Sequence, residues 1–482
     1  MIALALYALT ANRGAQWQDS GWHILRIVSG ELVHPLGLAL SHPLHYWLGR
    51  MAVGVGLFEP CFAITLISSL AAAVAVANVY GCVRSITSNR WAAIFAAASL
   101  GVAHTFWKMA TVTEINTATA ALLAGECWCL ARFTSTGRRG TLWGLLLLNG
   151  LGLSNHPLAL LTTPVLAVVV MHGLVRRAIP PRAAAVGLVL WVIGSLPYTG
   201  LVALRMVHTG DIGGAIRSAL FGHSFAGAVL NTSLTGRMLL ISVGFIALNF
   251  PNLLLPLAGV GVVRGRNAGV PVVFHRALVA ALLIHLVFVM RYNVVDQFTF
   301  FVPSYVLLCL FGGLGFAEVS RWGDVAKRRL VFWGAVVLLV ATPVGYAFVP
   351  SMARHYGVLR SVERHKPYRD DYVYLFTPWS VADRSAERMS RRAVSLAAPN
   401  GVIVVEDDMA AFAIRYRVLR DAMTDVTIMD HVDPSAITEA IRHGRPVVLV
   451  PRNTTELPTP LPTGVWERDG ELYVPASSAG RQ

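Results

Sequence analysis

Apolar residues come in long blocks over the first 350 positions, without the strict alternation of half-buried strands. Blocks run at about 61–83, 91–106, 115–131, 141–154, 157–175, 183–204, 238–263, 272–290, 299–319 and 330–349. A membrane crossing needs about 20 residues, with a range of about 17–25. The blocks at 91–106 and 141–154 are short and must borrow flanking polar residues. The opening "MIALALYALTANRG" supplies only half a span before Arg13 stops it, which predicts a start upstream of Met1. With that piece included, the pattern predicts about eleven transmembrane helices.

Beyond residue 350 the pattern changes. "GVIVVED" at 401–407, "DVTIMD" and "PVVLVP" read as strands, and 409–422 and 434–443 as the helices between them. Strands alternating with helices imply a small parallel sheet. The expected fold is an α-helical polytopic membrane protein, residues 1–350, followed by a small α/β domain, residues 351–482. No G-x-G-x-x-G or Walker loop supports nucleotide binding there.

One stretch breaks the apolar pattern early. Residues 17–47, "WQDSGWHILRIVSGELVHPLGLALSHPLHYW", carry Asp19, Arg26, Glu31, His34, His42 and His45 between apolar flanks. Ionisable groups are costly near lipid, so such a loop is a functional-site candidate by default. It lies within a first loop at 11–60.

Composition agrees with a membrane protein. Of 482 residues, 55% are hydrophobic and 14% charged, with a mean hydropathy of +0.58. Soluble domains hold about 25% charged residues. The net charge of +14 does not point to nucleic acid, because Arg and Lys sit in short clusters between apolar runs, as topology signals do. One set of loops is basic: Arg84 and Arg90; Arg132, Arg138 and Arg139; Arg176, Arg177 and Arg182; Arg264 and Arg266; Arg321, Lys327, Arg328 and Arg329. The alternate set is sparse. The basic set is expected in the cytoplasm, which puts Asp19 and the tail on the outer face. The five cysteines lie in or beside apolar runs and read as buried free thiols. Met1 leads into apolar residues with no basic n-region, so no cleavable signal peptide is expected.

Polar groups from separate spans converge on the predicted outer ends: Asp19, His42 and His45; Lys108 and Glu114 in "HTFWKMATVTEIN"; His156 in "LSNHP"; Arg291 and Asp296 in "MRYNVVDQFTFFVPSY". Together they outline a cavity at the outer interface. There a sugar transferase would draw on a lipid-phosphate donor. Its phosphate leaving group needs cations, and the acceptor hydroxyl needs a base. Asp19 suits the base; Arg291, Lys108 or a histidine suits the phosphate. Plainer readings stand beside these. Asp-Ser-Gly is good turn chemistry. His42 and His156 precede prolines and could cap helices. Glu114 could anchor its helix, and Asp296 could pair with Arg291. Glu406, Asp407 and Asp408 end a strand as a solvated run, so no metal or other cofactor is expected. Trp17, Trp22, Trp47 and Trp107 read as interfacial belt residues. A transporter or flippase of a lipid-linked glycan is the alternative, though no repeat or midplane charge pairing supports it.

At these residues the chain resembles the GT-C superfamily of membrane glycosyltransferases, and within it the bacterial relatives of protein O-mannosyltransferases that carry an uncharacterised-domain label. "LYALTANRGAQWQDSGW" resembles that family's first span running into an Asp-Ser/Ala-Gly-Glu loop. "LSHPLHYWLGRM" resembles its His-Pro segment, and "FWKMATVTEINTATAALLA" its Phe-Trp…Glu-Val-Tyr stretch. "LGLSNHPLALLTTP", "RYNVVDQFTFFVPSY" and "PNGVIVVEDDMAAFAIRYRVLRDAMTDVTIMD" match in order. Trp22 stands where the family usually has Glu, and Ile115-Asn116 replaces Val-Tyr. The resemblance implies inverting transfer from a polyprenyl-phosphate sugar to a hydroxyl of a protein, glycan or lipid. Asp19 would be the catalytic aspartate, and the setting a bacterial cytoplasmic membrane with the tail outside.

Overall fold

The computed structural model describes every residue except 359, 361, 362, 457–460, 463, 464 and 477–482. Each apolar block forms helix. In chain order the helices are α1 (Ile2–Thr10), α2 (Gln18–Ser29), α3 (Pro43–Val55), α4 (Pro60–Thr87), α5 (Arg90–Gly101), α6 (His104–Thr111), α7 (Asn116–Thr136), α8 (Arg139–Asn155), α9 (Thr163–Val175), α10 (Pro181–Thr209), α11 (Ile212–Phe221) and α12 (Ala226–Val229). There follow α13 (Gly236–Asn249), α14 (Leu254–Arg264), α15 (Val272–Arg291), α16 (Gln297–Phe300), α17 (Val302–Val319) and α18 (Val325–His355). The tail holds α19 (Asp371–Phe376), α20 (Ser385–Ala397), α21 (Asp408–Arg420) and α22 (Pro434–Arg442).

The count of eleven crossings is not reproduced. Among the described residues five helices are long and apolar enough to span, and six if one bent pair counts as a span. That pair is the run 238–263, which is broken between α13 and α14 by a bend of 105°. Pro251 lies at the break, where it lacks an N–H and clashes with a continuing helix. The groups released there find partners. Tyr346 donates to the Leu248 and Asn249 carbonyls at 2.9 and 3.2 Å, and Asn252 Oδ1 accepts from Leu254 N at 2.9 Å. The block at 91–106 is likewise split, into α5 and α6.

Small residues set the closest crossings. A Cβ on Gly150 of α8 would sit 2.2 Å from the Trp191 carbonyl of α10, and one on Gly315 of α17 would sit 1.8 Å from Leu257 O of α14. Such contacts replace the hydrophobic drive that lipid cannot supply between helices.

The tail folds as expected and then adds to it. Strands β1 (Val402–Val405), β2 (Thr427–Met429) and β3 (Val447–Val450) are parallel, and β4 (Trp466–Asp469) and β5 (Leu472–Pro475) form an antiparallel hairpin. The sheet order is β2-β1-β3-β5-β4, with Val402 level with both Thr427 and Val447. The tail is not a free-standing module. Trp17, Ile24, Ile27 and Tyr46 of the first loop share one apolar core with Met389, Ile403, Ile414 and Val448. A hydrogen bond reinforces this seam: Glu387, paired with Arg417 inside the tail, accepts from the Ala15 N–H at 3.0 Å.

Candidate functional site

The first loop is largely helical. In α2, Asp19, His23 and Arg26 stand at i, i+4 and i+7 and so share a face. Its ends are defined by backbone geometry: Gln18 has φ +56°, and Gly30 closes the helix at φ +90°. Asp19 therefore sits in the first turn, where unpaired N–H groups and the helix dipole favour a carboxylate.

Three carboxyl groups from three segments face one recess. Asp19 comes from α2, Glu114 from the α6–α7 turn and Asp296 from the turn before α16. Asp19 is open to solvent although protein surrounds it, as on the wall of a recess. Burial pushes its carboxyl above the ordinary aspartate range. Burial, then the charges of Asp19 and Asp296, push Glu114 up to about 8. Burial, then Asp19, push Asp296 up to about 6. Three carboxylates cannot all ionise in one such space. The environments separate them: Glu114 is the protonated member at neutral pH, and Asp19, at a helix N-terminus, is the one placed to carry charge.

Glu114 is held firmly. Ser20 donates to its Oε1 at 2.9 Å, its N–H donates to Ser68 Oγ at 3.0 Å, and its carbonyl accepts from the same hydroxyl at 2.9 Å. Lys108 approaches from α6, with Nζ 4.9 Å from the centre of the Tyr374 ring. Among the described residues no carboxylate lies within ion-pair distance of Lys108.

Histidines form a second group beside the recess. His42, at φ +43° before Pro43, puts Nδ1 2.8 Å from the Asn155 carbonyl and stacks on His156 at 5.1 Å between centroids. His23 lies 5.8 Å from His42 and 5.3 Å from His45. Burial and neighbouring cationic groups depress His42, and burial holds His156 down at about 4, so both are neutral at pH 7. Arg26 is fully buried; it donates to the Leu40 carbonyl at 3.3 Å, donates to Ser41 O, and lies over Tyr46. His156 also accepts from Leu158 N at 3.0 Å, so the capping reading is right for that residue. His42 makes no such cap.

Arg291 stands apart from both groups. Its guanidinium donates to the Val229 carbonyl at 2.8 Å and to Asn231 O, tying down the turn after α12. It makes no ion pair with Asp296. Two belt tryptophans are also placed differently: Trp17 and Trp107 are buried, with their N–H groups donating to Ser385 Oγ at 2.7 Å and Thr10 Oγ1 at 3.0 Å. Glu406 and Asp407 serve local structure, through Arg452 N and Lys366. Sequence reasoning passed over His23 as a member of the cluster, whose i, i+4 spacing from Asp19 was readable. It also passed over Tyr374 and Arg369, which no local pattern ties to the first loop.

Comparison with known proteins finds a family match over part of the chain and a similar fold over nearly all of it. Residues 34–199 match the family described as dolichyl-phosphate-mannose-protein mannosyltransferase. The fold is similar to that of ArnT from Cupriavidus metallidurans bound to undecaprenyl phosphate, with a TM-score of 0.63 and 14% identity over 98% of this chain and 96% of that one. The apo form of that ArnT gives 0.60 and 16% over the same shares. Archaeal oligosaccharyltransferase AglB from Archaeoglobus fulgidus, in complex with an inhibitory peptide and a dolichol-phosphate, gives 0.51 and 11% over 93% of this chain and 68% of that one. No curated protein sequence matches the chain.

Proposed function

We propose that the protein transfers a sugar from a polyprenyl-phosphate donor to an acceptor hydroxyl on the outer face of the membrane, with inversion and with Asp19 as the base. The observation that carries this reading is the recess in which Asp19 is set to ionise while Glu114 is held protonated, with the unpaired Lys108 nearby. In the reaction the acceptor O–H gives its proton to Asp19, and the oxygen bonds to the anomeric carbon from the side opposite the phosphate. The carbon–phosphate-oxygen bond breaks, and the polyprenyl phosphate leaves with the electron pair. Its leaving charge needs a cation rather than an acid, and Lys108 supplies one. Protonated Glu114 can donate to a sugar or acceptor hydroxyl without repelling the phosphate, and Asp296 can accept from one. His156, partly open and stacked on His42, is a further candidate for substrate contact, and His45 packs beside His23. The ArnT and AglB neighbours bind undecaprenyl phosphate and dolichol-phosphate, which supports the donor class. The sparse arginine and lysine content of the loops on the Asp19 side supports an outer-face site, with the tail on that same face.

Reconstitution decides between transfer and transport. Proteoliposomes receive a labelled polyprenyl-phosphate sugar on one side and a mixed envelope acceptor fraction. The expected result is label in the acceptor with stoichiometric release of polyprenyl phosphate. Passage of the intact glycolipid across the bilayer, with no cleavage, would replace the transferase with a flippase.

A further inference from the structure

Residues 366–384, ahead of α20, lie as a strap against the ends of α1 and α6. Ser380 N donates to Thr10 O at 2.9 Å, Thr111 Oγ1 donates to Pro378 O at 3.1 Å, and Asn12 Nδ2 donates to Asp383 O at 2.9 Å. The strap carries Tyr374 in α19. Its hydroxyl donates to Gln18 Oε1 at 3.2 Å, one residue before Asp19. Its ring attracts two cations: Lys108 Nζ lies 4.9 Å from the centroid and Arg369 Cζ 4.4 Å. The two cations differ. Arg369 is neutralised by Asp371 at 2.6 Å, both side chains being 4% exposed. Among the described residues Lys108 has no carboxylate within ion-pair distance, and the negative charge that acts on it is that of the more distant Asp383, which leaves the ammonium available to an incoming anion.

We propose that Tyr374 is a positioning residue, which holds the Lys108 ammonium toward the donor phosphate while fixing the N-terminus of α2 and hence Asp19. This rests on the transferase reading above. A lysine stem loses rotamer freedom when ordered. A desolvated cation–π contact offsets a comparable amount. The ring thus holds the ammonium in place before the donor arrives, with no carboxylate at ion-pair distance to compete with the phosphate. The tail thereby contributes to the chemistry, and not only to the fold.

The test is a double-mutant cycle on the affinity for undecaprenyl phosphate in detergent, with sugar transfer measured in parallel. Tyr374→Leu should weaken binding about tenfold, and Lys108→Met by at least as much. In the Lys108→Met background, Tyr374→Leu should add nothing. Tyr374→Trp, which keeps a ring face, should retain near wild-type affinity, and that also shows the strap tolerates substitution. Additive losses, or Tyr374→Trp as poor as Tyr374→Leu, would overturn the proposal while leaving an active wild type and the transferase reading intact. Failure of the reading itself looks different: wild type would neither bind undecaprenyl phosphate nor transfer sugar, and both would fall together.

Discussion

Two polar clusters flank α2, and they are built on opposite plans. In the recess, Asp19, Glu114 and Asp296 keep some access to solvent, and their ionisation is spread by burial and mutual repulsion. In the histidine cluster, His23, His42, His45 and Arg26 are sealed, and several ring nitrogens have no hydrogen-bond partner. The first arrangement can exchange protons with a substrate. The second fixes backbone: Arg26 closes the loop 30–41 onto α2, and His42 ties the start of α3 to the end of α8. Polar density near a site is therefore not evidence of chemistry; open atoms with separated ionisation are.

The sharpest way to break this contrast is Asp19→Asn. The substitution keeps the size and the helix-terminal position but cannot accept a proton. Turnover should fall by about 10²–10⁴-fold, with affinity for undecaprenyl phosphate unchanged, because the loss lies in the transition state. Wild-type turnover in this variant would remove Asp19 as the base. Arg26→Met should show the reverse pattern. Two carbonyls lose charged donors, and each such bond contributes about 1.5–3 kcal/mol, so thermal stability of the detergent-solubilised protein should drop. Surviving folded molecules should keep their turnover. A variant as stable as wild type but inactive would make Arg26 a site residue.

These outcomes also separate what could be read in the sequence from what could not. The apolar blocks and the parallel part of the sheet were legible because each rests on local periodicity. Asp19 drew attention because a carboxylate in an oily flank is conspicuous. The helical state of residues 18–29 was hidden by Ser20 and Gly21 near its start. The bend at Pro251 was masked by apolar residues on both sides, since hydropathy does not register a missing N–H. Strands β4 and β5 are only four residues each and β4 is mostly charged, and so they gave no signal. The strap could not be foreseen at all. Tyr374 meets Gln18 across 356 residues, and no spacing rule reaches that far. The contacts of Arg291 were hidden for a similar reason: its partners are backbone carbonyls, which are present in every sequence and distinctive in none.

A smaller effect tests the ionisation order within the recess. Glu114 is raised to about 8, so it is neutral below that pH and gains a negative charge as pH rises through it. That charge would repel the donor phosphate. The apparent KM for donor should therefore rise above about pH 8 in the wild type. Glu114→Gln should reduce this alkaline rise, the remainder coming from Lys108, whose ammonium burial lowers to about 8, and leave turnover at pH 7 nearly unchanged, since glutamine mimics the protonated acid. At the acid end, activity should fall as Asp19 protonates, at a pH above the ordinary aspartate value because its carboxyl is raised. A large loss in Glu114→Gln at pH 7 would mean that Glu114 works as an anion, and the assignment of charge within the recess would have to be reversed.

The smallest expected effect falls on His45, and its smallness is informative. Both ring nitrogens are buried without a partner. An unsatisfied buried polar atom costs about 1–3 kcal/mol, whereas an apolar group of similar shape in its place can be neutral or stabilising. His45→Leu should therefore keep donor affinity and turnover within about twofold and leave the melting temperature level or higher. The measurement is a thermal unfolding curve beside the transfer assay. If instead His45→Leu abolishes donor binding at unchanged stability, the histidine cluster opens to substrate during the reaction. Its orphaned nitrogens would then be waiting for the phosphate, and the contrast between the two clusters would be one of timing rather than of function.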